Sequence, residues 1–291
     1  MMKRIYVKKN HSWLLIFVVM LFLSGCSKGN NNEVGMNQVS NFVVPTSNIQ
    51  SDPKEWWKPA PGLSWQIQFS GTLDLNLQTD VIDLDMEVDA STVEYFHQRG
   101  TKVICYVSAG SYEDWRADAD QFPNEVLGND YQGWSGERWL DIRRVDLLAP
   151  IMEARMDMCA AKGFDGIEFD NLEIYTNDSG FPITYEDQLM YGMWLAEETH
   201  MRGMAIGQKN APDQARQLAG LFDFAIVEDA FYYGWEEDML PYIEAHKPVF
   251  AIEYTDMHGD FETYCNKSRQ LGFSTILKKR ELTSWIEICT E

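Results

Sequence analysis

The side chains able to do chemistry in this chain are chiefly carboxylates. The run Gly163-Phe164-Asp165-Gly166-Ile167-Glu168-Phe169-Asp170-Asn171-Leu172-Glu173 reads as a buried strand that ends in acid. Successive strand side chains point to opposite faces, so Ile167 and Phe169 share one side and Gly166, Glu168 and Asp170 the other. A glycine below two carboxylates makes a poor packing surface. It suits the interior of a barrel, with Asp170 at the mouth where a substrate sits. It equally suits internal salt bridges or a cap on the next helix, and this stretch alone does not separate the two.

The same alternation on other β-rich runs extends the set. Gln66 and Gln68 share a face, as do Asp83 and Asp85, Tyr106 and Ser108, and Gly207 and Lys209. Glu228 ends another run, and Glu253 and Tyr254 end the next. Polar groups are costly to bury unless paired, so polar groups at so many strand ends point to a wet or ligand-filled mouth. Each of them alone is as well explained by a paired structural role. There is no Gly-x-Ser-x-Gly elbow and no phosphate-cradling glycine loop. Neither a Cys-x-x-Cys nor a histidine-rich spacing marks a zinc site, and nothing calls for a cofactor. Carboxylates, amides and aromatics remain. Two carboxylates facing each other across a pocket are the machinery of glycoside hydrolysis. Trp65, Trp115, Trp134 and Trp139 are of the type that stacks on sugar rings.

These residues need a frame. Strands are expected at 64–70, 81–86, 102–109, 165–170, 204–209, 223–228, 249–254 and 273–278. Helical patterns lie between most of them. Leu148, Met152, Met156 and Cys159 recur at helical spacing, with Pro150 expected in a first turn. Thr184 and Asp187 form a capping pair before Leu189, Met193 and Trp194. Gly100, Gly163, Gly203 and Gly272 each stand where a helix would stop before the next strand. Alternation of strand and helix predicts a parallel sheet, and eight strands predict closure into a single-domain (β/α)8 TIM-type barrel. The first crossover, 71–80, is too short for a full helix. A long excursion, 110–153, rich in tryptophan, glycine and acid, follows a strand's C-terminal end and so belongs to the catalytic face.

The ends of the chain set the context. Lys3, Arg4, Lys8 and Lys9 precede an apolar run from Trp13 to Leu23, the layout of a secretory signal too short for a comfortable membrane span. Leu23-Ser24-Gly25-Cys26 resembles the lipobox of bacterial lipoproteins, which implies cleavage before Cys26 and lipid on its thiol. Residues 1–25 are therefore expected to be a signal peptide and 26–51 the lipidated cysteine with a polar tether. Residues 52–291 are expected to form the folded domain, outside the cytoplasm and lipid-anchored to a bacterial membrane. The whole chain carries a formal charge of −21. Losing the four basic residues of 1–25 takes it from −21 to −25. Such a protein does not seek nucleic acid or anionic headgroups by electrostatics and attracts cationic partners. Export allows disulfides. Cys265 and Cys289 flank the last expected strand and can close a loop, while Cys105 and Cys159 suit buried thiols.

Several segments together resemble a known family. They are Trp65-Gln66-Ile67-Gln68, the run Val103-Ile104-Cys105-Tyr106-Val107-Ser108-Ala109-Gly110-Ser111-Tyr112-Glu113, Gly163 to Gly166 with Asp170-Asn171, and Gly272-Phe273-Ser274-Thr275-Ile276. The family is the endo-α-1,4-polygalactosaminidases, glycoside hydrolase family 114, and the resemblance runs from about Trp56 onward. It implies a (β/α)8 barrel, a catalytic aspartate after the fourth strand and a catalytic glutamate after the sixth. Those positions match Asp170 and Glu228, as nucleophile and acid/base of a retaining mechanism. Family members often carry Asp-Pro-Asp or Glu-Pro-Asp at the fourth strand, where this chain has Glu168-Phe169-Asp170. The implied substrate is an α-1,4-linked galactosamine polymer, cationic where de-N-acetylated, which agrees with the charge. Gln66, Gln68, Asp83, Asp85, Tyr106, Glu168, Lys209, Glu253 and Tyr254 are the expected substrate-facing set, on a monomer. The alternatives are a glycosidase acting on a neutral or N-acetylated glycan and a non-catalytic glycan-binding lipoprotein.

Overall fold

The structure, a computed structural model, describes residues 54–289. The expected signal peptide, Cys26 and tether lie outside these residues. The strands in chain order are β1 (Trp65–Gln68), β2 (Val81–Asp85), β3 (Lys102–Ser108), β4 (Ser111–Glu113), β5 (Leu127–Asp130) and β6 (Glu137–Leu140). They continue with β7 (Gly166–Asp170), β8 (Ala205–Lys209), β9 (Phe224–Glu228), β10 (Val249–Tyr254), β11 (Ser274–Lys278) and β12 (Ile286–Ile288). The helices are α1 (Ala90–His97), α2 (Val145–Lys162), α3 (Tyr185–Met201), α4 (Ala215–Leu218), α5 (Ala230–Tyr233), α6 (Leu240–Glu244) and α7 (Phe261–Leu271).

The main sheet runs β1-β2-β3-β7-β8-β9-β10-β11-β12, with every neighbour parallel except β12, which lies antiparallel on β11. The eight parallel strands are the eight expected ones, and they curl into a nearly closed TIM-type barrel. Across the seam, β1 and β11 meet through side chains rather than a backbone ladder. The Trp65 indole donates to the Ser274 carbonyl at 2.9 Å, Ser274 Oγ to Leu63 O at 2.8 Å, and Lys278 Nζ to Gln66 Oε1 at 2.6 Å. The lower interior is apolar, built from Trp65, Ile67, Ile104, Phe224, Phe250 and Ile276. A Cβ on Gly207 would lie 2.1 Å from the Phe224 ring, so that ring fills the space only because glycine stands beneath it.

The helices stop as the glycines foretold. Gly163 and Gly272 are left-handed caps of α2 and α7 at φ 90° and 75°, and Gly100 and Gly203 also take positive φ. Thr184 and Asp187 form the capping box of α3. No helix intervenes between β1 and β2. Two expectations are corrected. Pro150 lies inside α2, in its second turn, because that helix begins at Val145. Cys105 and Cys159 are not free thiols. They form a disulfide between β3 and α2 with Cα atoms 6.2 Å apart, and a second disulfide joins Cys265 to Cys289. The excursion after β3 carries its own three-stranded antiparallel sheet, β4-β6-β5. Among the described residues no helix is long and apolar enough to cross a membrane.

Candidate active site

The interior face is fixed by register. Trp65 pairs with Val81, Ile67 with Asp83, Tyr106 with Glu168, and Ser108 with Asp170. Paired residues of a parallel ladder point the same way, so Asp83, Tyr106, Glu168 and Asp170 share the barrel interior with Trp65 and Ile67. Lys209 on β8, Glu228 on β9 and Tyr254 on β10 join them. Asp170, Lys209, Glu228 and Tyr254 end their strands, whereas Asp83 and Glu168 lie mid-strand and fully buried beneath them.

The contacts among them are specific. Asp170 Oδ2 accepts from the Tyr106 hydroxyl at 2.9 Å, and Oδ1 accepts from the Asn171 N–H at 2.8 Å. Lys209 Nζ reaches Glu168 Oε1 at 2.6 Å and Asp170 Oδ1 at 3.5 Å. Glu228 Oε1 accepts from the Tyr254 hydroxyl, and the Tyr254 ring carries the Arg280 guanidinium 3.6 Å from its centroid. Arg280 is held in turn by Asp229 and Asp256, each at 2.9 Å. Burial opposes the Lys209 charge, but Asp170, Glu168 and Glu228 outweigh it and hold the ammonium well above its usual pKa. Burial, and then the Asp170 charge, push Tyr106 well above the phenol range, so it stands as a donor.

The turns after these strands are unusual. Asn171, Asn210, Ala211 and Asp229 follow β7, β8 and β9 directly and take φ of 65°, 46°, 51° and 54°. Left-handed backbone is uncommon for residues with a Cβ and gathers at functional sites. Asn210 uses its side chain to accept from the Glu228 N–H at 2.9 Å and to donate to Glu173 at 3.3 Å. Asn171 donates to Ser108 and Ser111, and Ser111 donates to Glu137 at 2.6 Å. Glu137, on β6, is raised to about 7, by burial first and then by the charges of Glu113 and Asp170, against the Ser111 hydrogen bond.

Not every expected residue reaches this mouth. Gln66 and Gln68 lie on the outer face of β1. Gln66 closes the seam through Lys278 and Ser284, and Gln68 caps the loop after its strand through Ser70, Thr72 and Asp74. Glu253 points outward from β10 and accepts from the Phe231 and Tyr232 N–H groups at the start of α5; burial first of all raises it to about 8. Asp85 stands at the rim, held by both Arg116 NH groups at 2.8 Å. Trp65 and Trp139 are packed inside, 2% and 3% exposed, whereas Trp115 and Trp134 are 52% exposed. Glu137, Arg116, Asn210 and Arg280 were missed. Asn171 and Glu113 lay in quoted motifs, but no local signal marks Glu137, on the short strand β6, or Arg280, on the loop after β11.

A comparison with curated proteins finds no match. Among solved structures, Aspergillus fumigatus Ega3 in complex with galactosamine is similar at 35% identity and a TM-score of 0.76, over 81% of this chain and 98% of that one. The glycoside hydrolase domain of PelA from Pseudomonas aeruginosa is similar in fold, at 16% identity and a TM-score of 0.61, over 78% of this chain and 98% of that one. The sequence profile of glycoside-hydrolase family GH114 matches residues 46–291. This chain belongs to that family, the glycoside hydrolases GH114.

Proposed function

We propose that this glycoside hydrolase cuts α-1,4-linked galactosamine polymers internally, with Asp170 as nucleophile and Glu228 as acid/base of a retaining mechanism. The observation that carries the reading is the position of these two acids. They end β7 and β9, on the interior face, with β8 and its Lys209 between them. Neighbouring strands lie about 4.8 Å apart. Two steps along the sheet therefore separate the backbones by roughly 10 Å, and inward side chains narrow the gap toward the roughly 5–9.5 Å that glycosidases use. The Asp170 carboxylate, oriented by Tyr106 and Asn171, attacks the anomeric carbon while Glu228 protonates the leaving oxygen. Water then enters, gives its proton to Glu228 and releases the sugar from Asp170. Tyr254 and Arg280 hold Glu228 in place through this exchange.

Similarity to a protein that binds galactosamine supports the sugar. The acidic chain supports a cationic, de-N-acetylated polymer. Trp115 and Trp134 are exposed on the excursion that follows β3 and are of the type that stacks on sugar rings. Location is part of the proposal. Residues 1–25 serve as a lipoprotein signal, Cys26 takes the lipid, and 26–51 tether the domain outside the membrane. The two disulfides support an oxidising compartment.

The test is turnover of α-1,4-galactosamine polymers of graded acetylation, with the first-formed anomer read by NMR. The proposal expects internal cleavage, α-configured new ends, a preference for de-N-acetylated chain and weaker binding at higher salt. Binding without cleavage would identify a glycan-binding protein instead. Cleavage of only the fully acetylated polymer would reassign the substrate.

A further inference from the structure

Below Asp170 lies a second carboxyl pair that the mechanism does not use. Asp83 and Glu168 are fully buried on β2 and β7, two strands apart with β3 between them. They share the barrel interior, and each lies close enough to the other to shift its protonation. Glu168 Oε1 is taken by Lys209. Glu168 Oε2 and both Asp83 oxygens receive no N–H or O–H donor among the described residues. Buried acceptors left bare are costly, and two facing carboxylates without a donor repel. A single proton between them removes both costs.

We propose that Asp83 is a positioning residue, kept protonated so that it donates to Glu168 and through Glu168 and Lys209 fixes the Asp170 carboxylate. The geometry decides which partner holds the proton. Glu168 faces the Lys209 ammonium at 2.6 Å and gains by staying ionised. Among the described residues no cation lies at that distance from Asp83; its neighbours are Glu168, Asp85 and the more distant Lys209. Burial first, and then the Glu168 charge, push Asp83 well above the carboxylate range. Around Asp170 the charged and titratable groups are Glu168 on the same strand, Tyr106 on β3, Lys209 on β8 and Glu137 on β6. An ionised Asp83 would set three carboxylates against the single Lys209 ammonium and draw it down, away from Asp170.

The kinetic part of this inference rests on Asp170 being the nucleophile; the protonation part does not. The direct experiment is carbon-13 NMR of the intact enzyme labelled at the aspartate carboxyl, at about pH 7.5. One aspartyl carboxyl is expected to keep the protonated chemical shift and to vanish in Asp83→Asn. Asp229, raised to about 6, is ionised at that pH and does not interfere. A spectrum of the unmodified enzyme with every aspartate ionised would overturn the inference, whether or not any variant folds. In the kinetic experiment Asp83→Ala lowers kcat by about tenfold or more, the loss of one buried hydrogen bond, with KM changed less than about threefold. Asp83→Asn, which keeps a donor toward Glu168, recovers most of that loss. An asparagine variant as slow as the alanine one would show that the Asp83 charge, not its proton, is what matters. If Asp170→Asn hydrolyses normally, the nucleophile assignment fails while the NMR result still stands.

Discussion

Lys209 is the residue on which the acids of the mouth depend. It is 2% exposed and meets Glu168 and Asp170 at once. Removing one partner of a buried ion pair costs about 3–5 kcal/mol because the other charge is stranded. Lys209→Met is therefore expected to lower the Tm by roughly 10 °C, at about 2–4 °C per kcal/mol for a domain of this size, and to abolish turnover. A calorimetric scan checks it, and an unchanged Tm would show that the ammonium does not stabilise the two acids. At this scale alternation along the strands put Glu168, Asp170 and Lys209 on the interior face where the structure has them in contact, because glycines on the same face betrayed an unusual environment. It misplaced Gln66, Gln68 and Glu253. Alternation divides a strand into two faces but does not say which is inside, and an amide or a buried acid can equally satisfy backbone N–H and C=O groups nearby.

Elements hold those residues by close backbone approach. Gly110 follows β3, and its N–H donates to the Asp170 carbonyl at 3.2 Å. A Cβ there would lie 1.7 Å from the Asn171 carbonyl oxygen. Gly110→Ala must push the segment that carries Asp170 and Asn171. The expected result is a loss of kcat by tenfold or more, since displacements near 1 Å cost about a hundredfold. Kinetics at saturating polymer with circular dichroism as a fold control measure this, and an unimpaired variant would contradict the tight approach. The barrel strands and the glycine stops were readable because each repeats a simple signal: an apolar run, then a helix, then glycine. The sheet β4-β6-β5 was not readable, since its strands are three or four residues long. The Cys105–Cys159 bond was not readable either, because a strand and a helix 54 residues apart meet only once the crossover has folded.

The molecule as a whole stores protons. Asp229, Glu137 and Glu253 are raised to about 6, about 7 and about 8, in each case by burial first. In the unfolded chain such groups ionise near pH 4. Their stabilisation is complete below that value and is lost as the pH rises through the folded values. Asp118 and Asp223 are lowered, burial being outweighed by Arg155 and by His200 with Trp56; their stabilisation is present above about pH 4 and lost below it. The two sets leave a mildly acidic optimum. The Tm is expected to fall by roughly 5–10 °C between pH 5 and pH 8, and a Tm that rises over that interval would refute the buried-acid account.

The proposed mechanism rests on one arrangement, two acids from separate strands on either side of a glycosidic bond. The measurement that bears on it most directly is the rate of galactosamine-polymer hydrolysis by Asp170→Asn and Glu228→Gln, each shown to be folded by circular dichroism. The account predicts that each loses about a thousandfold or more in kcat, and that the double variant is little worse than either, as residues acting as a unit behave. A folded variant of either residue that keeps more than about a tenth of the original rate would contradict it.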